Sequence, residues 1–280
     1  KTMENYPLMS VLIPAYNHEN YVAEALNSVL DEDYPNKEIV IIDDGSTDAT
    51  PQIIEEWIED HTDDIPVQYR SRPNKGITKT LNELIDMADG EYTVLFASDD
   101  KLINNGIRKK YEYFLQNPNK LSVVTDSVVI DENGKQTHES VITEIHNGRK
   151  DRYLDDKSFK REIVRRWSMA SPRMDHTSLY EKIGKYDESL TIDDWDMCLR
   201  IVAKDFFGFI DEPHAAYRIH SASTCRTPDI KKQIAHNKSM RKTALQNCYK
   251  FDLSNMFFLI KYALKKTKSI LKLRVILLKR

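Results

Sequence analysis

Cysteine is scarce in this 280-residue chain, and long apolar runs are missing altogether. The three cysteines, Cys198, Cys225 and Cys248, are odd in number and have no CxxC spacing, so neither a disulfide framework nor a cysteine-based zinc site is indicated. No window reaches the ~18 uninterrupted apolar residues of a membrane-spanning helix, and the amino-terminal KTMENYPLMS lacks the apolar core of a signal peptide. The sequence therefore predicts a cytoplasmic protein that is neither secreted nor integral to a membrane.

Charge is unevenly distributed along the chain. The formal net charge is −3, yet residues 255–280 hold eight basic and no acidic side chains, which leaves residues 1–254 with 33 basic against 44 acidic ones. This tail has the pattern of an amphipathic helix. One stripe of this helix consists of Lys261, Lys265, Lys268, Lys272 and Lys279. The opposite, apolar stripe consists of Leu259, Ala263, Ile270 and Leu277.

Two explanations of this basic tail remain open. It could lie on an anionic membrane surface, or it could pack on the rest of the protein with its lysines in water. The segregation of charge favours the membrane. Nucleic acid is a less suitable partner, because no interleaved aromatic platform for stacking bases accompanies the lysines.

Hydrophobic periodicity predicts strands that alternate with helices of about a dozen residues. Such alternation is typical of an α/β fold with a mostly parallel central sheet and helices on both faces. The stretches that predict strands are 9–14, 38–44, 67–70 and 91–97.

Polar clusters follow three of these predicted strands: PAYN the first, DDGSTD the second and SDD the fourth. Because ligands of open parallel sheets bind outside the carboxyl ends of the strands, the clusters should converge on one edge. By itself, the acid pair of SDD could cap the next helix, and the sequence DDG is common in turns. Together with a third acid pair in TIDDWD, they favour a bound cation or ribose.

The middle of the chain is less strongly patterned. Asn133-Gly134 is a hairpin signal, and a polar excursion continues to about residue 158. Residues 159–168 have a helical pattern, 176–180 predict a brief strand or turn, and a further helix begins at the acid pair of DDWDMCLRI.

Four motifs, in order and spacing, resemble those of the family 2 glycosyltransferases with the GT-A fold: VLIPAYNHENYVAEALNSVL, EIVIIDDGSTDAT, NKGITKTLNELIDMADGEYTVLFASDD and DDWDMCLRI. The resemblance covers roughly residues 8–224. It implies a GT-A catalytic domain over 1–225, with a nucleotide-sugar half (1–127) and an acceptor half (128–225). The segment 226–280 would be a carboxyl-terminal helical tail.

The resemblance also implies a nucleotide-sugar site. Asp44 would accept a hydrogen bond from uracil N3–H, and Asp99 would lie near the ribose or the donor sugar. Leu81 stands where related sequences commonly have an Arg, so Lys75 or Arg72 could supply that phosphate contact. The matching positions are Pro14, Ala15, Tyr16, Asn17, Asp44, Lys75 and Asp99.

A divalent cation, Mn or Mg, is implied as cofactor, with Asp100 at the position of the metal-binding acid. Many family members have a further Asp where this chain has Ala97, so the ion needs a ligand from elsewhere. His220 in YRIHSAST matches a common family His and is the candidate, although a lone His is more often structural.

Asp194 matches the general base of the family, which accepts the proton of the attacking hydroxyl. The alternative is that the acids of DDWD only favour the positive end of the helix dipole. Trp195 could stack on a sugar, or lie in the core. With Asp175 beside them, the candidate acceptor contacts are Arg173, His176, Asp193 and Trp195.

The implied activity is inverting transfer of a sugar from a UDP-sugar to a hydroxyl of a saccharide acceptor, lipid-linked, in cell-surface polysaccharide synthesis. The enzyme would bind the inner face of the cell membrane peripherally through residues 255–280. One alternative, a nucleotidyltransferase on a related fold, needs a basic loop where PAYNHEN has no Arg or Lys. Another, a catalytically silent membrane-surface binding module, is disfavoured by the intact set Asp44, Asp100 and Asp194.

Overall fold

The amino-terminal part of the chain alternates strands and helices, as its periodicity predicts. The structure is a computed structural model that describes residues 6–166, 169–170, 172–191, 194–220 and 229–278. The predicted strands are all present, and the helix expected directly after SDD, α4, begins at Gly106 with Asn105 as its N-cap. In chain order the elements are β1 (Met9–Ala15), α1 (Val22–Leu30), β2 (Lys37–Asp43), α2 (Thr50–Asp60), β3 (Val67–Ser71), α3 (Ile77–Met87), β4 (Tyr92–Leu95), β5 (Lys101–Leu102) and α4 (Gly106–Gln116).

The second part of the chain is less regular. The hairpin predicted at Asn133-Gly134 is confirmed, because β6 and β7 pair antiparallel and Gly134 has φ +81. Short π and 3-10 turns occupy the polar excursion at Val141–Ile145 and Lys150–Tyr153. The remaining elements are β6 (Ser122–Ile130), β7 (Gln136–His138), α5 (Asp156–Arg166), β8 (Arg173–His176), α6 (Ser178–Ile183), α7 (Asp194–Val202), β9 (Phe207–Arg218), α8 (Ile230–Asn247) and α9 (Leu253–Leu278).

The described strands form one sheet in the order β3-β2-β1-β4-β8-β6-β9-β5, with β7 added to β6. Parallel pairing joins β3, β2, β1 and β4, and it also joins β6 to β9. Strand β8 lies antiparallel between β4 and β6. The mostly parallel α/β sheet expected from the sequence is therefore confirmed, with three reversed strands, β8, β5 and β7, of which the hairpin signal predicted only β7.

Helices cover both faces of the sheet, because successive side chains of a strand point to opposite faces. Val11 and Ile13 of β1 contribute to a core with α1, α2 and α4. Leu12, between them, contributes to the second core with α3, α5, α6 and α7. These two apolar layers hold the sheet from both sides, and the polar residues lie in the loops at the carboxyl ends of its strands.

The predicted carboxyl-terminal helical tail consists of two packed helices, α8 and α9. In α9, Leu259, Ala263 and Ile270 are buried, and the first two pack with Trp195 and α8 in a third core. Three residues of the apolar stripe read from the sequence thus face the protein, whereas the fourth, Leu277, is 37% exposed. Among the other exposed apolar side chains of α9, four lie at intervals of seven residues: Phe257, Leu264, Leu271 and Leu278. Lys279 lies outside the described residues.

Lys110 on α4 is buried in the interior, at 1% exposure. Burial lowers the pKa of this amine to about 7 from 10.5, while Glu32 acts in the opposite direction. Between these two pH values the unfolded chain binds more protons than the folded one, so the stability contributed by this group rises with pH.

We therefore expect Lys110→Met to raise the free energy of unfolding by about 2 kcal/mol at neutral pH, because it removes the cost of burying the amine. The gain should shrink as the pH rises toward 10. Urea denaturation at about pH 7 and about pH 9.5 measures both effects. Lys109→Met, at an exposed lysine paired with Glu212, is the matched control and should change stability by under about 0.5 kcal/mol. A less stable Lys110→Met protein at both pH values would contradict the prediction.

Candidate active site

The three polar clusters that follow β1, β2 and β4 converge on one edge of the sheet, as the sequence predicts. Ala15 at the end of β1 pairs with Asp43 at the end of β2, and Asp44 N–H donates to the Ala15 carbonyl at 2.8 Å. Strand β4 lies on the other side of β1. The Asp43 carboxylate accepts from Ser46 N–H at 3.2 Å and from the Ser71 hydroxyl at 3.2 Å, so it stabilises the loop.

Asp44 is buried at this edge, with 5% of the residue exposed. Its carboxylate pairs with the Arg72 guanidinium and accepts from Lys75 N–H at 2.8 Å and from Gly76 N–H at 3.1 Å. The Lys75 ammonium bonds to Glu83 at 2.7 Å. The expected position Lys75 therefore contacts Asp44 through its backbone, and Arg72 contacts it through its side chain.

The loop after β1 is tied to the loop after β2. Asn17 adopts a left-handed conformation (φ 55), its N–H donates to Ser46 Oγ at 2.8 Å, and its Oδ1 accepts from Thr47 N–H at 2.8 Å. Tyr16 is 41% exposed beside it. The structure thus leaves the Tyr16 ring accessible on a loop that Asn17 holds in place.

Asp99 meets two histidines, one from the loop after β1 and one from beyond β9. Its Oδ2 lies 3.1 Å from His220 Nε2 and 3.6 Å from His18 Nε2. One ligand atom from each of the three residues lies within 4.8 Å of the others, so this cluster could hold a metal ion. Burial lowers the pKa of His18, against the opposing effect of Asp99, which favours the neutral imidazole that metals require.

Asp100 points the other way, into the protein. Its side chain is 2% exposed, and its Oδ1 accepts the backbone N–H of Arg218 at 2.9 Å. Burial, and then the neighbouring Asp99, raise the pKa of this carboxyl well above its ordinary value. The structure therefore brings Asp99, and not the expected Asp100, to the histidine cluster.

Arg218 organises this corner and was missed by the sequence reasoning. Its buried guanidinium donates to the Asp99 carbonyl at 2.8 Å, binds Glu24 at 2.5 Å, and lies 4.8 Å from the centre of the Tyr21 ring. The sequence feature that could have pointed to Arg218 was its position two residues before His220, the candidate metal ligand. His18 was also missed, although PAYNHEN was singled out, because only its lack of Arg and Lys was considered.

Asp194 is exposed at the first turn of α7. The Thr78 hydroxyl donates to the Leu190 carbonyl at 3.3 Å, four residues before Asp194, so the chain entering α7 lies beside the start of α3. That start also supplies Gly76 to Asp44. Asp193, the other acid of this motif, lies outside the described residues.

Trp195 and Asp196 point away from solvent. Trp195 is 3% exposed, and its Nε1–H donates to the Ile163 carbonyl at 3.3 Å. Asp196 accepts from Gln246 at 2.6 Å and from Asn247 at 2.7 Å, which links α7 to α8. The placement favours a structural role for both residues.

A model of the family described as "Glycosyl transferase family 2" matches residues 10–175, more than half of the chain. The chain belongs to this family. The match includes β1 to β4 and the loops that carry Asp44, Asp99 and His18.

Several curated family members resemble parts of the chain. A Bacillus subtilis glycosyltransferase, TuaG, named for teichuronic acid biosynthesis, is 34% identical over 110 residues, which is 39% of this chain and 43% of TuaG. Chondroitin synthase of Escherichia coli is 32% identical over 133 residues, 48% of this chain and 19% of the synthase. The matched region thus spans under half of these relatives.

Solved structures share the fold. Staphylococcus aureus TarS 1–349 in complex with UDP-GlcNAc matches with a TM-score of 0.66 and 21% identity, over 93% of this chain and 72% of that one. The mannosyltransferase PcManGT of Pyrobaculum calidifontis, in complex with GDP-Man and Mn²⁺, matches with a TM-score of 0.64 and 15% identity, over 97% and 74%. The expected GT-A fold is confirmed.

Neither of two acceptor positions implied by the family resemblance is placed to contact a substrate beside the Asp99 cluster: Arg173 is buried, and His176 lies at the other end of β4. Arg173 is buried, and its guanidinium binds Asp175 at 2.9 Å and Tyr186 at 2.8 Å. His176 pairs with Tyr92 at the amino end of β4, whereas Asp99 follows the carboxyl end. Their acceptor roles stay predictions, and this placement favours structural ones.

Proposed function

We propose that this chain is a metal-dependent, inverting glycosyltransferase that moves a sugar from a UDP-sugar to a hydroxyl of a saccharide acceptor. The single observation that supports this best is the shared edge of the sheet. There the Asp44–Arg72 subsite follows β2 and Asp99 follows β4, the two strands that flank β1 in parallel, and ligands of such sheets bind at this edge.

The uracil ring fits the Asp44 subsite by its hydrogen-bond pattern. An ionised carboxylate accepts about four hydrogen bonds, and Asp44 Oδ2 has capacity beyond the Gly76 N–H. The imide N3–H of uracil would donate to this oxygen, and the neighbouring Arg72 would donate to a ring carbonyl. Tyr16, with Pro14 and Ala15 before it, would supply the face against which the base lies.

The divalent ion would be held by Asp99 and His220, whose donor atoms already lie 3.1 Å apart. This assignment moves the carboxylate ligand from Asp100 to Asp99, because Asp100 is committed to Arg218. When bound, Mn²⁺ or Mg²⁺ supplies the positive charge that stabilises the departing diphosphate. Arg218 would hold the Asp99 backbone in place through its bond to the Asp99 carbonyl.

Asp194 would act as the general base. Its exposed carboxylate would accept the proton of the acceptor hydroxyl as the hydroxyl oxygen bonds to the anomeric carbon. The bond from that carbon to the UDP oxygen breaks with its electron pair on UDP. Attack opposite the leaving group inverts the configuration at the anomeric carbon.

The acceptor we propose is a lipid-linked saccharide of a cell-surface polysaccharide. The names of two relatives, a teichuronic acid biosynthesis glycosyltransferase and chondroitin synthase, support a polysaccharide product. An acceptor with a lipid anchor would require the enzyme to work at a membrane surface, on the cytoplasmic side where nucleotide sugars are the donors.

Helix α9 would bind that surface in the plane of the membrane. Its exposed apolar side chains lie at every seventh residue from Phe257, and exposed lysines flank them, so apolar insertion and attraction to anionic lipids would act together. No helix in the described ranges has both the length and the apolar character to cross a bilayer. The binding we propose is therefore peripheral.

The double variant Leu264→Asn/Leu271→Asn should lower affinity for anionic vesicles by about a hundredfold, since two leucines would no longer insert. Co-sedimentation with phosphatidylglycerol vesicles, compared with phosphatidylcholine vesicles, measures this. Leu115→Asn, at an exposed leucine on α4, is the matched control and should bind like wild type. Equal vesicle binding by the double variant and wild type would rule out this face.

The proposed reaction is tested with a panel of UDP, GDP and dTDP sugars, with and without Mn²⁺. We expect ion-dependent binding of the UDP series by calorimetry, and release of UDP when a saccharide acceptor is added. Asp44→Asn should weaken UDP binding by about a hundredfold and should weaken GDP binding little. If none of these nucleotides binds in an ion-dependent way, the proposed function is wrong.

A further inference from the structure

We propose that His18 is a third protein ligand of the metal ion, so that the ion is bound before the nucleotide arrives and a transition metal is preferred to Mg²⁺. This inference deepens the proposed function, because it concerns the ion-binding cluster of the same site. It concerns the protein alone, and it can be tested without a sugar donor.

The three donor atoms already face one another. His18 Nε2 lies 3.6 Å from Asp99 Oδ2, His220 Nε2 lies 3.1 Å from it, and the three donor atoms fall within 4.8 Å of one another. The two imidazole rings stand nearly perpendicular, with centroids 5.7 Å apart. Two histidines and one carboxylate around a common point form a donor set that metalloproteins use for first-row transition metals.

The surroundings of His18 hold its ring in this orientation. The second ring nitrogen, Nδ1, lies 2.7 Å from the hydroxyl of Ser98, which is fully buried. The backbone N–H of His18 donates to Thr50 Oγ1 at 2.8 Å. A histidine that binds a metal through one nitrogen normally has the other nitrogen fixed by a hydrogen bond, and Ser98 supplies that bond here.

His18 could also supply the metal ligand that is missing because this chain has Ala97 where many family members have an Asp. A site with one carboxylate and one imidazole leaves most coordination positions to the nucleotide and water, so the ion would bind only with the diphosphate. A third protein ligand provides a site that holds the ion by itself. First-row transition metals such as Mn²⁺, Co²⁺ and Zn²⁺ accept a site of mixed nitrogen and oxygen donors, whereas Mg²⁺ prefers oxygen ligands and keeps its waters, so this set should discriminate against Mg²⁺.

The alternative is that both histidines only make hydrogen bonds or ion pairs with Asp99. In that case the nucleotide-free protein would bind Mn²⁺ weakly, and removing His18 would not change the binding.

The experiment is titration of the nucleotide-free protein with Mn²⁺, followed by electron paramagnetic resonance of the free ion and by calorimetry. We expect one Mn²⁺ per chain, bound at least tenfold more tightly than Mg²⁺, and at least about a tenfold loss of Mn²⁺ affinity in His18→Ala and in His18→Gln. The glutamine variant keeps a hydrogen-bonding side chain, and circular dichroism confirms that both variants fold. His138→Ala, at a half-buried histidine that contacts Thr137, is the control and should bind Mn²⁺ like wild type.

Two results would overturn the inference: wild-type Mn²⁺ affinity in folded His18→Ala protein, or equal affinities for Mn²⁺ and Mg²⁺. The proposed function fails separately. Ion-dependent UDP binding with no effect of His18 removes this inference alone, whereas a His18-dependent Mn²⁺ site in a protein that binds no nucleotide removes the proposed function alone.

Discussion

Replacing Asp194 with asparagine should lower the rate of sugar transfer by about 10³-fold and leave UDP-sugar affinity within about threefold of wild type. Asparagine keeps the shape of the side chain but cannot accept the proton of the acceptor hydroxyl. Asp194 is exposed at the first turn of α7, and asparagine has nearly the same size. The loss would therefore appear in kcat, while donor binding at Asp44 and the ion cluster persists.

The competing explanation is that Asp194 only stabilises the positive end of the α7 dipole. Glu181→Gln is the matched control, because Glu181 is an exposed acid in the first turn of α6. Both substitutions should cost about 0.5 kcal/mol of unfolding free energy through the dipole, and Glu181→Gln should leave transfer unchanged. The measurements are initial rates of UDP release with acceptor, calorimetric donor affinity and urea denaturation. Normal transfer by Asp194→Asn would refute the general-base role.

The fold could be predicted where local pattern decides it. The stretches that became β1, β2 and β4 are mainly apolar, and β3 continues their alternation with helices. Each is followed by polar or turn residues, and right-handed strand–helix alternation places their carboxyl ends together. Strands β8 and β9 escaped the prediction because their neighbours come from distant parts of the chain. Residues Arg173–His176 form a strand only because β4 and β6 flank them on both sides.

The site could be located from the sequence, but the direction of each side chain could not. DDG and SDD correctly marked the edge of the sheet, since both follow parallel strands. Adjacent residues in a turn, however, point to different sides, and nothing local distinguishes Asp99 from Asp100. Their roles separate only when Arg218, 118 residues further along the chain, donates to Asp100 and the two histidines close on Asp99.

The same limit applies to the α7 motif and to the tail. Helical spacing indicated that Trp195 and Leu199 share a face, and the structure confirms that both are buried. In α9 the spacing identified one apolar stripe, which packs on the protein from Leu259 to Ile270. It did not identify the second set of apolar residues, which recur at intervals of seven between lysines. A helix with two apolar faces needs its packing partners to be known before either face can be assigned.

The opposite behaviour of two adjacent acids provides the sharpest test of the site. Asp99→Asn should lower sugar transfer by about 10³-fold and abolish ion-dependent UDP binding, because the ion loses its carboxylate ligand and with it several kcal/mol of stabilisation of the leaving diphosphate. Asp100→Asn should keep transfer within about fivefold of wild type. The asparagine oxygen can still accept the Arg218 N–H, and a neutral side chain suits the buried position.

A third variant distinguishes a structural role of Asp100 from no role. Asp100→Ala leaves the Arg218 N–H without its acceptor in a buried place and should cost about 2 kcal/mol of unfolding free energy, with ion affinity retained in the folded fraction. Urea denaturation, Mn²⁺ titration and UDP release are measured for all three variants. If Asp100→Asn abolishes transfer while Asp99→Asn is active, the carboxylate ligand is Asp100, and the side chains must rearrange when nucleotide binds. If only Asp99→Asn fails, the divided roles follow from the geometry: Asp99 for the ion, Asp100 for the fold.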